Sequence, residues 1–151
     1  MVYDADTGTL SRSGFEVTAE HVFARARREG EAVSIIRLDI THLGTSTARR
    51  SVLIDLAGIV RRELRASDVV ARTGKHQLGV LLPATDEDGA ALVLAHLTAT
   101  ARQYNEGLRI AERFSLELRH ATFLPWEDDT APSIFLASVL DGLRGGRASS
   151  A

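Results

Sequence analysis

Two charged residues three positions apart, Arg65 and Asp68, offer the clearest binding chemistry in the sequence. A guanidinium group presents two parallel N–H donors and a carboxylate accepts hydrogen bonds, so the pair could bind a planar ligand that carries both acceptors and donors. The interval places Arg65 at a predicted helix end and Asp68 at the start of the next predicted strand, where both can face one ligand. Arg72, further along that strand, could add a phosphate or guanine contact. Alternatively, Arg65 only complements the carbonyl end of its helix and Asp68 only shapes the following turn.

Groups suited to catalysis are sparse elsewhere in the chain. Asp39 ends an apolar run, where a capping or turn role is common. His76 and Gln77 lie in a turn with no nucleophile nearby in sequence, so we interpret them as solvated turn residues. Trp126 lies in an acidic loop, where it could anchor a partner, although packing against the core is the interpretation that we favour. No metal-ligand spacing is present among His21, His42, His96 and His120.

Hydrophobic periodicity predicts alternating helices and strands that would position these residues. The predicted helices span residues 13–30, 47–64, 86–104 and 133–143, and the predicted strands span residues 33–40, 68–73, 76–82 and 113–124. Gly74-Lys75 separates two of the strands, as is typical of a β-hairpin. Because a hairpin requires antiparallel pairing, we expect an α+β sandwich with a mostly antiparallel central sheet flanked by helices.

Length and composition limit the classes of function. A chain of 151 residues suits one domain, and its 44% hydrophobic and 25% charged residues are typical of soluble globular proteins. The net charge of −2 argues against general nucleic-acid binding. The absence of cysteine excludes thiol catalysis, and no apolar run approaches the roughly 20 residues that cross a bilayer. We therefore expect a cytoplasmic protein without membrane insertion or a nucleic-acid partner. It would form one domain over residues 1–144 with a flexible tail over 145–151, and residues 1–11 also look loose.

Three segments, in the same order and at nearly the same spacing, match the patterns of one family. The first matches D-x-L-T-G-L-x-N-R-x-x-F at Asp4, Thr7, Gly8, Arg12 and Phe15. The second, Asp39-Ile40-Thr41-His42-Leu43-Gly44, takes the place of D-[IV]-D-x-F-K. The third has Arg65-Ala66-Ser67-Asp68, five further residues, Gly74-Lys75-His76-Gln77-Leu78 and a strand that closes in Leu82-Pro83. Together they resemble the GGDEF domain of diguanylate cyclases over about residues 4–143, which implies that family's sandwich fold.

The differences from the family pattern imply that the cyclase reaction is lost. In an active member, two metal ions hold the triphosphate of GTP, and their carboxylate ligands come from the first Asp of D-x-D and an acid of the signature. Asp39 would be a vestigial ligand, but His76 and Gln77 replace the acids and supply no charged oxygen for Mg²⁺. Lys75 replaces a glycine, Gly44 replaces a phosphate-facing lysine, and the loop after Asp39 is shortened. We therefore expect no enzymatic activity, no metal and no cofactor.

The family's inhibitory product site, in contrast, is retained. The resemblance assigns R-x-x-D, five residues before the signature, to binding of cyclic di-GMP, and implies Arg65 and Asp68, with Arg72, as its contacts here. The leading interpretation is a non-enzymatic receptor that transmits cyclic di-GMP occupancy to a protein effector or a homodimer partner. A scaffold that binds no nucleotide and serves dimerisation or docking is the main alternative. Residual enzymatic activity and GTP binding without turnover are the others.

Overall fold

The computed structural model describes residues 2–41, 46–142 and 148–150. Its helices are α1 Arg12–Glu29, α2 Ser46–Glu63, α3 Glu87–Glu106 and α4 Pro132–Leu140, with a short 3-10 helix at Ile110–Glu112. Its strands are β1 Leu10–Ser11, β2 Val33–Thr41, β3 Val69–Gly74, β4 Gln77–Leu82, β5 Ser115–Phe123 and β6 Ala148–Ser150. All eight predicted helices and strands are present, with ends that differ by a few residues.

The strands of the described chain form one sheet in the order β1-β3-β4-β2-β5-β6. β1 pairs with β3 in parallel, whereas the other neighbouring strands pair antiparallel. The predicted hairpin joins β3 to β4, with a register shift between Arg72 and Gly74. The prediction of an α+β sandwich with a mostly antiparallel central sheet is therefore confirmed.

The sheet is covered by helices on both faces. Side chains of β2 alternate between two cores, because successive residues of a strand point to opposite faces. Ile36 and Leu38 pack in the core under α2 and α3, whereas Val33 and Ile35 pack in the core under α1 and α4. This burial on both faces explains why β2 reads as a continuous apolar run.

Local sequence explains where the helices begin and end. The Ser11 hydroxyl accepts a hydrogen bond from the Gly14 amide (3.2 Å) at the start of α1, and Asp86 accepts one from the Gly89 amide (2.8 Å) at the start of α3. Gly30 ends α1 at a φ of 68°, a left-handed conformation that glycine adopts without steric cost. Thr45, a predicted cap of α2, lies outside the described residues.

The described residues at the start of the chain form a hydrogen-bonded turn, and three described residues near its end pair with the sheet. Residues expected to be loose at the start form a turn in which Asp4 accepts hydrogen bonds from the amide (2.9 Å) and hydroxyl (2.8 Å) of Thr7, and Tyr3 forms an isolated bridge with Leu10. Within the predicted flexible tail, Ala148–Ser150 pairs with β5, while residues 145–147 and 151 lie outside the described part. None of the described helices combines the length and the apolar character needed to cross a membrane.

Candidate ligand-binding site

Arg65 and Asp68 close the turn between α2 and β3 by bonding to each other. The guanidinium Nε and Nη2 of Arg65 donate to Oδ2 (3.2 Å) and Oδ1 (3.0 Å) of Asp68. The Arg65 amide also donates to Oδ2 (2.9 Å), and the Asp68 amide returns a hydrogen bond to the Arg65 carbonyl (3.0 Å). Both oxygens of Asp68 are therefore engaged, and its side chain is only 2% exposed. Asp68 therefore lies behind Arg65 and holds its guanidinium through two hydrogen bonds.

Arg65 faces the opposite way, toward solvent. Its side chain is 59% exposed, and its Nη2 also donates to the Pro83 carbonyl (3.2 Å) and the Thr85 hydroxyl (2.9 Å). The hydrogen bond with Asp68 raises the pKa of Arg65 further above its already high usual value, so the group is cationic at every physiological pH. The guanidinium is thus fixed on one edge, while Nη1 makes none of the described hydrogen bonds.

The connection between β4 and α3, to which Arg65 donates, is also held by hydrogen bonds that do not involve Arg65. Ala84 has a φ of 49°, a strained value for a residue with a Cβ. The Thr85 amide donates to the Ala32 carbonyl (3.0 Å), and the Ser34 hydroxyl donates to the Thr85 carbonyl (2.8 Å). These bonds fix the strained turn and therefore the surface beside Arg65.

Arg65 lies between two grooves. One, of about 580 Å³, is lined also by Trp126, Asp86 and Glu31. The other, of about 310 Å³, is lined also by Arg25 and Glu31. A planar ligand at Arg65 would therefore meet either an indole and two carboxylates or a second guanidinium.

Trp126 lies on the surface rather than against the core. The amides of Glu127 (3.0 Å) and Asp128 (2.8 Å) both donate to the Leu124 carbonyl, which closes the loop after β5 as a compact turn. Trp126 lies within this turn and is 59% exposed to solvent. Our expectation that Trp126 packs against the core was therefore wrong, since the residue lies in a surface turn that closes on the Leu124 carbonyl.

The structure does not bring Arg72 to Arg65. Arg72 lies four residues beyond Asp68 along β3, about 13 Å at the usual rise of a strand. Its Nη1 binds Asp6 (2.8 Å) and Asp4 (3.3 Å), its Nη2 donates to the Lys75 carbonyl (2.9 Å), and its side chain is 17% exposed. In the described structure Arg72 therefore fastens the N-terminal turn to the hairpin.

This fastening has an electrostatic signature at Asp4. Burial disfavours the charged carboxylate, but the hydrogen bonds from Thr7 and the charge of Arg72 outweigh that effect and lower the pKa of Asp4. Gly8, at a φ of 71°, allows the turn to bring Asp4 and Thr7 together. Asp4, Thr7 and Gly8 of the first family pattern therefore stabilise the N-terminal turn and attach it to β3.

The signature residues form a second site at the hairpin end of the sheet. Asp39 and Gln77 are direct neighbours on β2 and β4, and the Gln77 Nε2 donates to Asp39 Oδ1 (3.1 Å) and to the Leu140 carbonyl (3.2 Å). Arg37 Nε donates to Asp39 Oδ2 (2.7 Å), and the Thr73 hydroxyl donates to Gln77 Oε1 (2.6 Å). Every polar atom of the Asp39 and Gln77 side-chain heads therefore has a protein partner.

This arrangement does not fit a hard divalent cation. Among the described residues, Asp39 is the carboxylate that is hydrogen-bonded to Gln77, and its oxygens already accept from an amide and a guanidinium. Mg²⁺ requires several oxygen ligands in near-octahedral geometry, and a cationic Arg37 at 2.7 Å competes for the same charge. Within residues 2–41, 46–142 and 148–150, no group of three or more histidine or acidic residues could hold a metal ion.

The other signature residues have ordinary positions in the hairpin. Leu78 is buried in the core at 1% exposure, whereas Lys75 is exposed in the turn and lines a groove of about 470 Å³ with Gly74, Gln77 and Arg119. The His76 carbonyl accepts a hydrogen bond from the Ile40 amide, 3.0 Å away. Gly44, the position of the family's phosphate-facing lysine, lies outside the described residues.

With both sites in view, the comparisons with known proteins identify the family. The profile of the "Diguanylate cyclase, GGDEF domain" family matches residues 1–118. The chain belongs to the GGDEF family. It is 33% identical over 102 residues to the diguanylate cyclase DgcP of Pseudomonas aeruginosa, a match that covers 64% of this chain but only 15% of DgcP.

Solved GGDEF structures share the fold. The GGDEF domain of DgcB from Caulobacter crescentus, in complex with c-di-GMP, matches with a TM-score of 0.72 and 16% identity over 93% of this chain and 84% of that one. The diguanylate cyclase SiaD, in complex with its activator SiaC from Pseudomonas aeruginosa, matches with a TM-score of 0.70 and 20% identity over 95% of this chain and 58% of SiaD. At these identities the likeness shows the fold alone.

Sequence reasoning missed several groups that complete the two sites. Thr85 and the Pro83 carbonyl hold Arg65 from a distant turn, and no local pattern indicates that contact. Arg37 could have been found, because residues two apart on a strand share a face and Arg37 and Asp39 carry opposite charges. The Leu140 carbonyl could not have been found from the sequence, since every residue carries a backbone carbonyl and no pattern marks the one that Gln77 contacts.

Proposed function

We propose that this GGDEF domain is a catalytically inactive receptor for cyclic di-GMP, with Arg65 as its principal contact. The observation that supports the proposal is the exposed guanidinium of Arg65, fixed by Asp68 and Thr85 beside two open grooves. A cation that is already oriented loses little side-chain entropy when it binds an acceptor edge of guanine. Asp68 would contribute by orienting Arg65, and Arg72 would contribute to the fold.

The proposed loss of cyclase activity rests on Asp39 and Gln77. A two-metal reaction needs free carboxylate oxygens, whereas here Asp39 is bonded to Arg37 and Gln77. Incubation of the protein with GTP and Mg²⁺ or Mn²⁺ should therefore yield no cyclic di-GMP by liquid chromatography. Any product above that of a heat-inactivated sample would contradict this part of the proposal.

Calorimetric titration with cyclic di-GMP tests the receptor function directly. We expect micromolar or tighter binding to the wild type, and for Arg65→Ala a loss of about a hundredfold or more, the scale of a bidentate guanine contact. Arg119→Ala is the matched control, because Arg119 is also a partly exposed, ion-paired arginine but lines the groove at the signature. Unchanged affinity in Arg65→Ala, with circular dichroism like that of the wild type, would refute the site.

A scaffold that binds no nucleotide is the second candidate. The observation that favours it is the burial of Asp68, whose side chain is 2% exposed and whose two oxygens both accept from Arg65, so it is poorly placed to accept from guanine N–H groups. It predicts no heat and no thermal shift with cyclic di-GMP or GTP, together with a defined homodimer or partner complex in light scattering. For either candidate we propose a cytoplasmic location and a protein effector or homodimer partner.

A further inference from the structure

The groove between Arg65 and Trp126 combines three kinds of group that recognise a nucleobase. Trp126, the single tryptophan of the chain, offers an exposed aromatic face, and Arg65 offers a cationic donor. Asp86 and Glu31 line the same groove and offer carboxylate acceptors. A volume of about 580 Å³ is sufficient for a purine with its sugar.

We infer that this groove seats a guanine base stacked on Trp126, an inference that rests on the proposed cyclic di-GMP function and assigns the base contact. Guanine presents O6 and N7 as acceptors and N1 and N2 as donors. Arg65 matches the first edge, and the carboxylates of Asp86 and Glu31 match the second. They therefore replace Asp68, whose side chain is only 2% exposed, as acceptors for the base.

The charges at this groove favour a base over a phosphate. The groove adjoins the start of α3, where backbone amides would otherwise attract an anion. Here Asp86 caps that end by accepting from the Gly89 amide, and Glu87 and Asp88 add two further negative charges. A phosphate in the groove would meet the carboxylates of Asp86 and Glu31, whereas the amide donors of guanine would be attracted to them.

The surroundings hold the groove in one shape. Arg65 is fastened to the turn at Thr85, and the turn after Leu124 fixes the loop that bears Trp126. A face that is held open in advance needs no rearrangement before a base stacks on it. Stacking also removes an indole that is 59% exposed from water, which favours binding further.

Fluorescence of the single tryptophan tests the inference, because no other indole contributes to the emission. Titration with cyclic di-GMP and with GMP should quench the emission, after correction with free tryptophan amide, and AMP should quench it less. In calorimetry, Trp126→Ala should weaken binding about tenfold, the scale of one lost stacking contact. Leu92→Ala is the control, since Leu92 is another exposed apolar side chain, 74% exposed on α3; its affinity should equal that of the wild type.

The outcomes separate this inference from the proposed function. Arg65-dependent heat with unchanged emission and unchanged affinity in Trp126→Ala would overturn the stacking site and leave the receptor function in place. Quenching by GMP without any binding of cyclic di-GMP would support the guanine groove and overturn the receptor function. Neither heat nor quenching with any guanine nucleotide would overturn both.

Discussion

Two arginine–carboxylate pairs lie at opposite ends of the sheet, and they differ in which partner reaches the solvent. In the pair at the signature, Arg37 and Asp39 are 19% and 20% exposed, and both belong to a closed network. In the pair before β3, Asp68 is 2% exposed and Arg65 is 59% exposed. The ion pairs have the same chemistry, but only the second leaves a cation available to a ligand.

The cause of this difference is where the hydrogen-bond partners come from. Around Asp39 and Gln77 they come from three strands and from the end of α4, so each polar atom of these two side-chain heads is bonded within the protein. Around Asp68 they come from a single turn, so the buried carboxylate accepts from Arg65 on one side and the outer side of Arg65 stays exposed. A retained charged pair therefore indicates a binding site only when its geometry leaves one member open.

Gln77→Glu should cause the largest loss of stability, because it breaks hydrogen bonds in the network of Asp39 and Gln77. The new carboxylate would face Asp39 and the Leu140 carbonyl without a donor, and two hydrogen bonds would be lost. We expect the free energy of unfolding in urea at pH 7 to fall by about 2–3 kcal/mol. Lys75→Ala, in the exposed turn beside it, should change stability little. Equal stability of Gln77→Glu and the wild type would show that the network is not closed as described.

Asp68→Asn tests whether the second pair orients Arg65. The change keeps the shape of the side chain but removes its charge and one acceptor oxygen, so Arg65 loses its bidentate partner. Stability should fall by about 1–2 kcal/mol, and cyclic di-GMP should bind about tenfold more weakly in calorimetry. If stability falls while affinity is unchanged, Asp68 maintains the turn without positioning the guanidinium.

Arg72→Ala tests whether Arg72, four residues along the chain from Asp68, serves the fold and not the ligand site. Since Arg72 binds Asp4 and Asp6, its removal should reduce the free energy of unfolding by about 1 kcal/mol, a value that allows for partial screening by solvent. The affinity for cyclic di-GMP should stay at the wild-type value. A large loss of affinity would show that Arg72 does contribute to binding cyclic di-GMP.

The smallest expected effect is on the pH dependence of the stability that the Asp4 carboxylate gives to the N-terminal turn. Because folding lowers the pKa of Asp4, its charged form contributes stability that is fully present above the ordinary value of 3.8 and is lost as pH falls through the lower folded value. Asp4→Asn cannot make that contribution at any pH. The difference in melting temperature between wild type and Asp4→Asn should therefore shrink below about pH 4. A constant difference down to pH 3 would contradict this linkage.

The sequence predicted the fold well wherever the evidence was periodic or local. The apolar run of β2, the β3–β4 hairpin and the start of α3 all depend on neighbouring residues, and the structure confirms them. β1 was not predicted, because two residues are too few for a pattern and their partners Ala71 and Arg72 are distant in sequence. The same applies to the contact of Arg72 with Asp6, which joins residues that no local interval relates.

At the candidate site, the sequence identified the pair but not its orientation. An interval of three residues brings Arg65 and Asp68 together in any turn of this kind, yet which of them faces solvent depends on Pro83 and Thr85. The exposure of Trp126 likewise depends on how the loop after β5 closes at Leu124. Both are consequences of tertiary packing, which single-sequence patterns do not contain.

The bond between Gln77 and the last turn of α4 has a consequence for how this domain can change over time. The side-chain amide joins the hairpin to the Leu140 carbonyl, so residue 77 contributes to folding whether or not any ligand binds. An acid at that position would lack the N–H donor that now serves both the Asp39 carboxylate and the Leu140 carbonyl, so it would reduce stability unless other residues of the network changed with it. The side-chain amide of residue 77 is therefore a requirement of the hairpin itself, and substitutions there are constrained by folding as well as by any ligand.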